Sequence, residues 1–231
     1  MEKSDIQETL VSLYLRLNGY FVSGFIVHAS RGVGTEMDVL AVRFPRHKEP
    51  AREIQPCDHL AIPAEGIDFI VGEVKGGSNN VNFNVRFRDD PEAIRTVLQR
   101  FGAFTDAEID RVRAAVPGIL EPGKLKRSAS FPELDVALCE AAGIHKGKLR
   151  FVPFAAEQCR SSGAIRPYVF EDDLLSFVWR CFRPEQQRRR CDVRYNYELW
   201  GPQFVRLVSY FKDASRTAPG TIQDIYQANG A

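Results

Sequence analysis

The chain has 231 residues, enough for one sizeable hydrophobic core with additions, and 31 Lys+Arg against 30 Asp+Glu leave a net charge of +1. So small a total excludes a global field that drives the protein onto nucleic acid or membrane, and any polyanion site has to be local. No apolar run approaches the roughly 20 residues of a membrane helix, the start "MEKSDIQETL" has no signal-peptide apolar region, and the five scattered cysteines form no C-x-x-C pair, so a soluble, cytoplasmic protein with reduced thiols is expected.

From residue 4 to residue 19 the spacing of Ile6, Leu10, Leu13, Tyr14 and Leu17 predicts a helix, with Ser4 and Gln7 as a capping box and Gly19 as its stop. "YFVSGFIVHA" reads as a strand, "SRGVG" as a glycine-bearing turn, and "TEMDVLAVRF" as a second strand that forms a hairpin with the first. Pro45, Pro50, Pro56 and Pro63 break the pattern over 45–66, a stretch longer than an ordinary connection and so an insert or a flap. "GIDFIVGEVK" is the third strand, followed by the polar, glycine-rich "GGSNNVNFN". Residues 90–116 predict one or two amphipathic helices broken near Gly102. "PELDVALCEAAG" fits helix or strand; "KLRFVPFA" predicts a short strand, and "EDDLLSFVWRCF" a helix with acidic residues in its first turn. A basic cluster and an aromatic helix, "YELWGPQFVRLVSYFK", follow. This order predicts an α/β architecture, a mixed central β-sheet flanked by helices: a core over 1–182 with the insert at 45–66, and a helical C-terminal extension over 183–231 packed on it.

Chemistry enters at the end of the third strand. Residues two apart on a strand share a face, so Glu73 and Lys75 occupy one small volume while Val74 points the other way. Burying both charges costs several kcal/mol unless something compensates, and a metal or a ligand removes that cost. With 16 Glu and 8 Lys in the chain, an E-x-K triplet arises by chance about half a time, so its context has to carry the argument. Here the triplet ends an apolar, β-prone run, and a second such run carries Asp38 directly before "VLAV". Phosphodiester hydrolysis needs a divalent cation and a positioned water; carboxylates suit magnesium or manganese, and a lysine beside them orients the water or stabilises the developing charge. The competing reading makes Asp38 and Glu73 solvated strand ends with Lys75 as a surface partner worth little.

At these residues the chain resembles the PD-(D/E)XK nuclease superfamily, the restriction-endonuclease-like and Holliday-junction-resolvase-like enzymes. Glu8, in "ETLVSLYLRLNGYFV", matches the glutamate of that family's first helix, Asp38 the aspartate of its hairpin, and "EVK" the third element. Met37 stands where the family motif has proline, and 35 residues separate Asp38 from Glu73. The resemblance covers roughly residues 4–77 and implies a restriction-endonuclease-like core. It also implies an Mg2+-dependent nuclease (Mn2+ substituting) acting on DNA, with Asp38, Glu73 and Lys75 catalytic and Glu8, Asp38, Glu73 and the Val74 carbonyl on the metal. Gln7 lies nearer the middle of the helix's apolar face than Glu8, so either serves as the helix ligand.

A run rich in arginine, "WRCFRPEQQRRRCDVR", supplies Arg183, Arg188, Arg189 and Arg190 as candidate nucleic-acid contacts, and the same run fits a solvated helix face. "HKGKLR" at 145–150 is a weaker candidate of the same kind. His47 and His59, in the insert, read as solvated rather than as proton donors. Asp68, of opposite parity to Glu73, is outside the site. The alternative function is a catalytically silent nuclease-like scaffold that binds nucleic acid or a protein partner. A homodimer is compatible with cutting both strands of a duplex.

Overall fold

A computed structural model describes residues 2–27, 35–48, 54–76, 82–121, 128, 130–141, 144–159, 167–183 and 201–231. Their elements, in chain order, are α1 (Lys3–Leu17), β1 (Phe21–Val27), β2 (Thr35–Arg43), a 3-10 turn (Asp58–Leu60), β3 (Ile67–Lys75), α2 (Val85–Asp89), α3 (Pro91–Phe101) and α4 (Asp106–Ile119). After these come β4 (Glu133–Ala141), β5 (Ile144–Ala155), β6 (Val169–Phe170), α5 (Glu171–Phe182), α6 (Pro202–Lys212) and α7 (Ile222–Asn229). The fold is α/β, with a mixed six-stranded sheet in the order β1-β2-β3-β5-β4 and β6 beside the end of β5. β1, β2 and β3 run antiparallel in turn, β3 and β5 are parallel, and β4 returns antiparallel along β5.

Helix α1 forms where the apolar spacing placed it, and Ile6, Leu10, Leu13, Tyr14 and Leu17 are all buried. Its start differs from expectation: the Asp5 carboxylate accepts from the Glu2 N–H at 2.9 Å, which frees Gln7 for a buried bond elsewhere. The ambiguous "PELDVALCEAAG" is strand β4, and the segment expected as a short strand is the twelve-residue β5. Helices α3 and α4 separate at Gly102, whose φ of +65° lies in the left-handed region that a Cβ disfavours. The "SRGVG" turn and residues 77–81 of the glycine-rich loop lie outside the described residues.

The sheet is covered on both faces. Side chains of α1, α5, α6 and α7 pack with Val39, Ala41, Ile70, Val74, Val152 and Phe154, and those of α2 to α4 pack with Met37, Leu40, Phe69, Val71, Leu149 and Phe151. The C-terminal helices therefore complete the same apolar layer as α1, through Leu207, Val208, Phe211, Ile225 and Tyr226. Among the described residues no helix is long and apolar enough to cross a membrane.

One buried ionic knot fixes the insert to the sheet. Arg150 and Asp68 are 1% and 2% exposed, and the Arg150 Nε donates to Asp68 Oδ1 at 2.8 Å while Nη2 pairs with Oδ2. The Tyr20 hydroxyl donates to the same Asp68 Oδ2, and Arg150 Nη1 donates to the Leu60 carbonyl at 2.6 Å. Arg150, the last residue of a run expected to meet phosphate, is thus sealed inside. His59 is also engaged rather than solvated, with Nε2 2.8 Å from the Tyr168 carbonyl oxygen and 3.4 Å from Asp173.

Removing one member of such a knot leaves an uncompensated buried charge. Arg150→Met is expected to lower stability by about 3–5 kcal/mol. The Asp68→Leu/Arg150→Met double variant should recover part of that loss, and urea unfolding curves decide it: purely additive losses would contradict the account.

Candidate functional site

The site begins with an irregularity in β2. On β1 the register pairs Ser23 with Leu40 but Phe25 with Met37, so Asp38 and Val39 together oppose Gly24: a β-bulge. Its effect is visible in the packing, since Met37 and Leu40 both reach the α2 to α4 side although they are three residues apart. Toward β3 the pairing ends at Val39 and Gly72, and the Val74 N–H beyond it has lost its ladder partner. The Asp38 carboxylate takes that place, accepting from the Val74 N–H at 2.6 Å through Oδ2. Asp38 is therefore held close to the sheet plane, in the fork where β2 and β3 diverge. A strand residue's N–H and C=O point to the same neighbour, so the Val74 carbonyl opens toward the same fork.

Glu73 lies beside it and is 1% exposed. Its Oε1 is 2.5 Å from Lys75 Nζ, whereas its Oε2 is buried without a hydrogen-bond partner among the described residues. Burial, and next the Asp38 charge, push the Glu73 pKa from 4.5 up to about 7, against the opposing pull of Lys75 and the Asn84 backbone. Lys75 has about a third of its side chain exposed and is the accessible end of the pair.

Strand alternation assigns faces to these groups. Glu73 and Lys75 share parity with Phe69 and Val71, on the α2 to α4 side; Gly72 and Val74 face α1. Glu8 belongs to α1, on the other side. It lines, with Asp38, a cleft of about 740 Å³ that also has Ser12, Tyr20, Phe21 and His47 in its walls, closed at one end by Gln203 and Phe204 of α6. Asp38 is the member common to both halves: it reaches Glu73 electrostatically and shares open space with Glu8. Among the described residues no three His, Cys, Asp or Glu side chains converge in a way that would hold a metal ion.

Gln7, the competing helix ligand, is occupied. Its Nε2 donates to Glu157 Oε1 at 3.0 Å and contacts the Tyr226 hydroxyl at 2.5 Å, beyond the end of β3. Arg183 is occupied as well, with Nε donating to the Phe211 carbonyl at 2.8 Å, Nη1 to that of Arg216 at 2.9 Å and Nη2 to that of Asp213. Its guanidinium also covers the Trp179 ring at 4.4 Å, so it ties α5 to the turn after α6. Arg188, Arg189 and Arg190 lie outside the described residues. The sequence reading missed His47, Phe21 and the start of α6 as cleft walls. In the fold Phe21 is 67% exposed and meets Phe44 edge-on at 6.1 Å.

No family model, no curated protein and no solved structure matches the chain. Its functional reading therefore rests on the site itself.

The state of Glu73 gives a direct test. Its folded pKa lies above 4.5, so the folded protein keeps a proton that the unfolded chain releases, and stability falls as pH rises from 4.5 to about 7. Glu73→Gln removes that loss, which is on the order of 3 kcal/mol. In EDTA the variant should gain Tm relative to the wild type across this window and hold the gain above it. A difference in Tm independent of pH would contradict the buried, proton-holding carboxyl.

Proposed function

We propose that the protein is a magnesium-dependent nuclease that hydrolyses phosphodiester bonds in DNA. The observation that carries this reading is the buried Glu73 Oε2, left without a hydrogen bond next to a second carboxylate, that of Asp38. A buried carboxylate oxygen without a partner beside a second acid is costly, and a cation is the ligand that relieves both the repulsion and the missing bond. Two carboxylates are sufficient donors for magnesium, which keeps several of its waters and commonly takes only one or two carboxylates from a protein. Asp38, Glu73 and the Val74 carbonyl would hold it, and Glu8 can join only from across the cleft, through Asp38. When bound, the cation neutralises charge that develops on the phosphate and lowers the pKa of a coordinated water.

The chain's own residues divide the remaining work. Asp38 is kept in position by the Val74 N–H, which donates to its Oδ2. Lys75, partly exposed and paired with Glu73, orients the attacking water or stabilises charge on the phosphate oxygens. The cleft beside Asp38 would admit the substrate strand from the α1 side, and Lys75, on the α2 to α4 side, would act on it only across the fork between β2 and β3.

A second reading, a nuclease-like scaffold that binds nucleic acid or a protein without cutting, is favoured by one observation: Glu8 and Glu73 belong to opposite faces of the sheet. Salt-dependent DNA binding without product at any magnesium or manganese concentration would select it.

Cleavage of plasmid, linear and single-stranded DNA, with and without magnesium, separates the two. Asp38→Asn and Lys75→Ala are each expected to lower the rate at least about 100-fold, the scale of losing one positioned electrostatic or proton-transfer group. Magnesium should raise the Tm of the wild type and leave that of Asp38→Asn unchanged. Full activity in either purified variant removes the mechanism.

A further inference from the structure

A second hollow, of about 560 Å³, opens along α6 and is lined by Arg206, Ser209, Tyr210, Asp213 and Arg216. Two guanidinium groups and one carboxylate line it, and a second carboxylate, that of Asp224, is in electrostatic reach of Arg216. Arg206 is exposed and, among the described residues, makes no hydrogen bond, ion pair or ring contact. Arg216 lies over the Tyr210 ring at 3.6 Å, and its buried Nε has no hydrogen-bond partner. The nearest acid is no remedy: Asp213 Oδ2 is 4.0 Å from that Nε, and Asp213 Oδ1 already accepts from the Ser215 N–H at 2.9 Å and the Ser215 hydroxyl at 2.8 Å. A free arginine and an unsatisfied buried donor at one hollow match an anion with several oxygens, and a phosphate suits the planar fork of arginine donors.

The choice among phosphates follows from where the hollow sits. Gln203, Arg206 and Ser209 are all exposed and recur every third residue, so they form one slanted row along α6. Gln203 is also a wall of the cleft that contains Asp38 and Glu8, so the row joins the cleft to the hollow. At 1.5 Å per residue the row is about 9 Å long, a distance that a nucleic-acid strand, with a phosphate every few ångströms, crosses within a few nucleotides. A free anion has no use for that continuity.

We infer that α6 is a strand track: a nucleic-acid strand that enters the cleft beside Asp38 continues along Gln203 and seats a backbone phosphate between Arg206 and Arg216. This inference rests on the nuclease reading for what occupies the cleft, and it places the track on α6 instead of the arginine-rich run that precedes that helix. The contact is to the backbone, so it carries no base preference.

The test is binding without catalysis. The full chain is titrated in EDTA with fluorescein-labelled single-stranded and duplex oligonucleotides of about 20 nucleotides over a salt series, read by fluorescence anisotropy. Arg206→Ala is expected to weaken binding about five- to tenfold at low salt. It should also flatten the slope of log affinity against log salt by about 0.7 to 0.9, one phosphate contact, equally for unrelated sequences. Arg206→Lys should keep the slope. Because Arg206 has no partner among the described residues, the wild-type Tm should persist in both variants, which separates this result from misfolding. Wild-type affinity and slope in Arg206→Ala overturn the track, as does the absence of measurable binding by the wild type. Binding of inorganic phosphate that depends on Arg206, with oligonucleotide binding unchanged, also overturns it and makes the hollow a small-anion site. Normal magnesium-dependent cleavage beside an unchanged slope removes the track and leaves the nuclease. A flattened slope in a chain that cuts nothing leaves the track and removes the nuclease.

Discussion

A single hydrogen bond, from the Val74 N–H to the Asp38 carboxylate, governs how this end of the sheet is built. Strands β2 and β3 diverge after Val39 and Gly72, and an interior strand that loses its neighbour leaves a buried N–H without an acceptor. The side chain of Asp38 supplies the acceptor. It reaches there because the bulge opposite Gly24 gives β2 one extra residue and turns that residue out of the ordinary alternation. Gly72 is the second requirement. A Cβ at that position would come within 2.9 Å of the Phe154 ring and 3.0 Å of Val39 Cβ, so the close packing of the strands just before the fork depends on its absence.

Strand β3 carries a charge near each end, and the contrast between the two separates structure from function. Asp68, near the start, has both oxygens paired, with Arg150 and Tyr20 filling them. Such a fully satisfied network specifies packing and leaves nothing to offer a ligand. Glu73, near the end, is just as buried, yet one of its oxygens is empty and its neighbour is another acid. The fold therefore can satisfy a buried carboxylate and does so a few residues away. That it leaves Glu73 incomplete is what makes a site of the far end.

Local pattern was enough to find these strands, because the apolar runs in "DFIVGEVK", buried on both faces, and after Asp38 are short-range signals. It also put Glu73 and Lys75 on one face, as observed. Two things lay beyond it. The bulge depends on how β1 and β2 pair across a turn, so no inspection of "TEMDVLAV" alone reveals that Asp38 lies between faces or that Glu8 and Glu73 are separated by the sheet. Partners distant in sequence were equally hidden: Arg150 sits in "HKGKLR" and looks solvated until Asp68, 82 residues earlier, is beside it. Arg183 likewise opens a basic run, and its bonds go to carbonyls 28 to 33 residues later.

The C-terminal helices change the meaning of the core they cover. Phe204 is buried in the layer formed with α1 and also forms part of the cleft wall, while Arg16 of α1 lies over its ring at 4.7 Å. Displacing α6 would remove both an apolar anchor and a boundary of the space in front of Asp38. Arg183 reinforces the arrangement from behind by fixing the turn after α6 through three carbonyls. The extension is thus constrained at both ends of α6, and its exposed row is presented at a fixed angle to the cleft. A rigid wall of this kind supports an extended ligand better than a loop does, because the cost of ordering it was met when the chain folded.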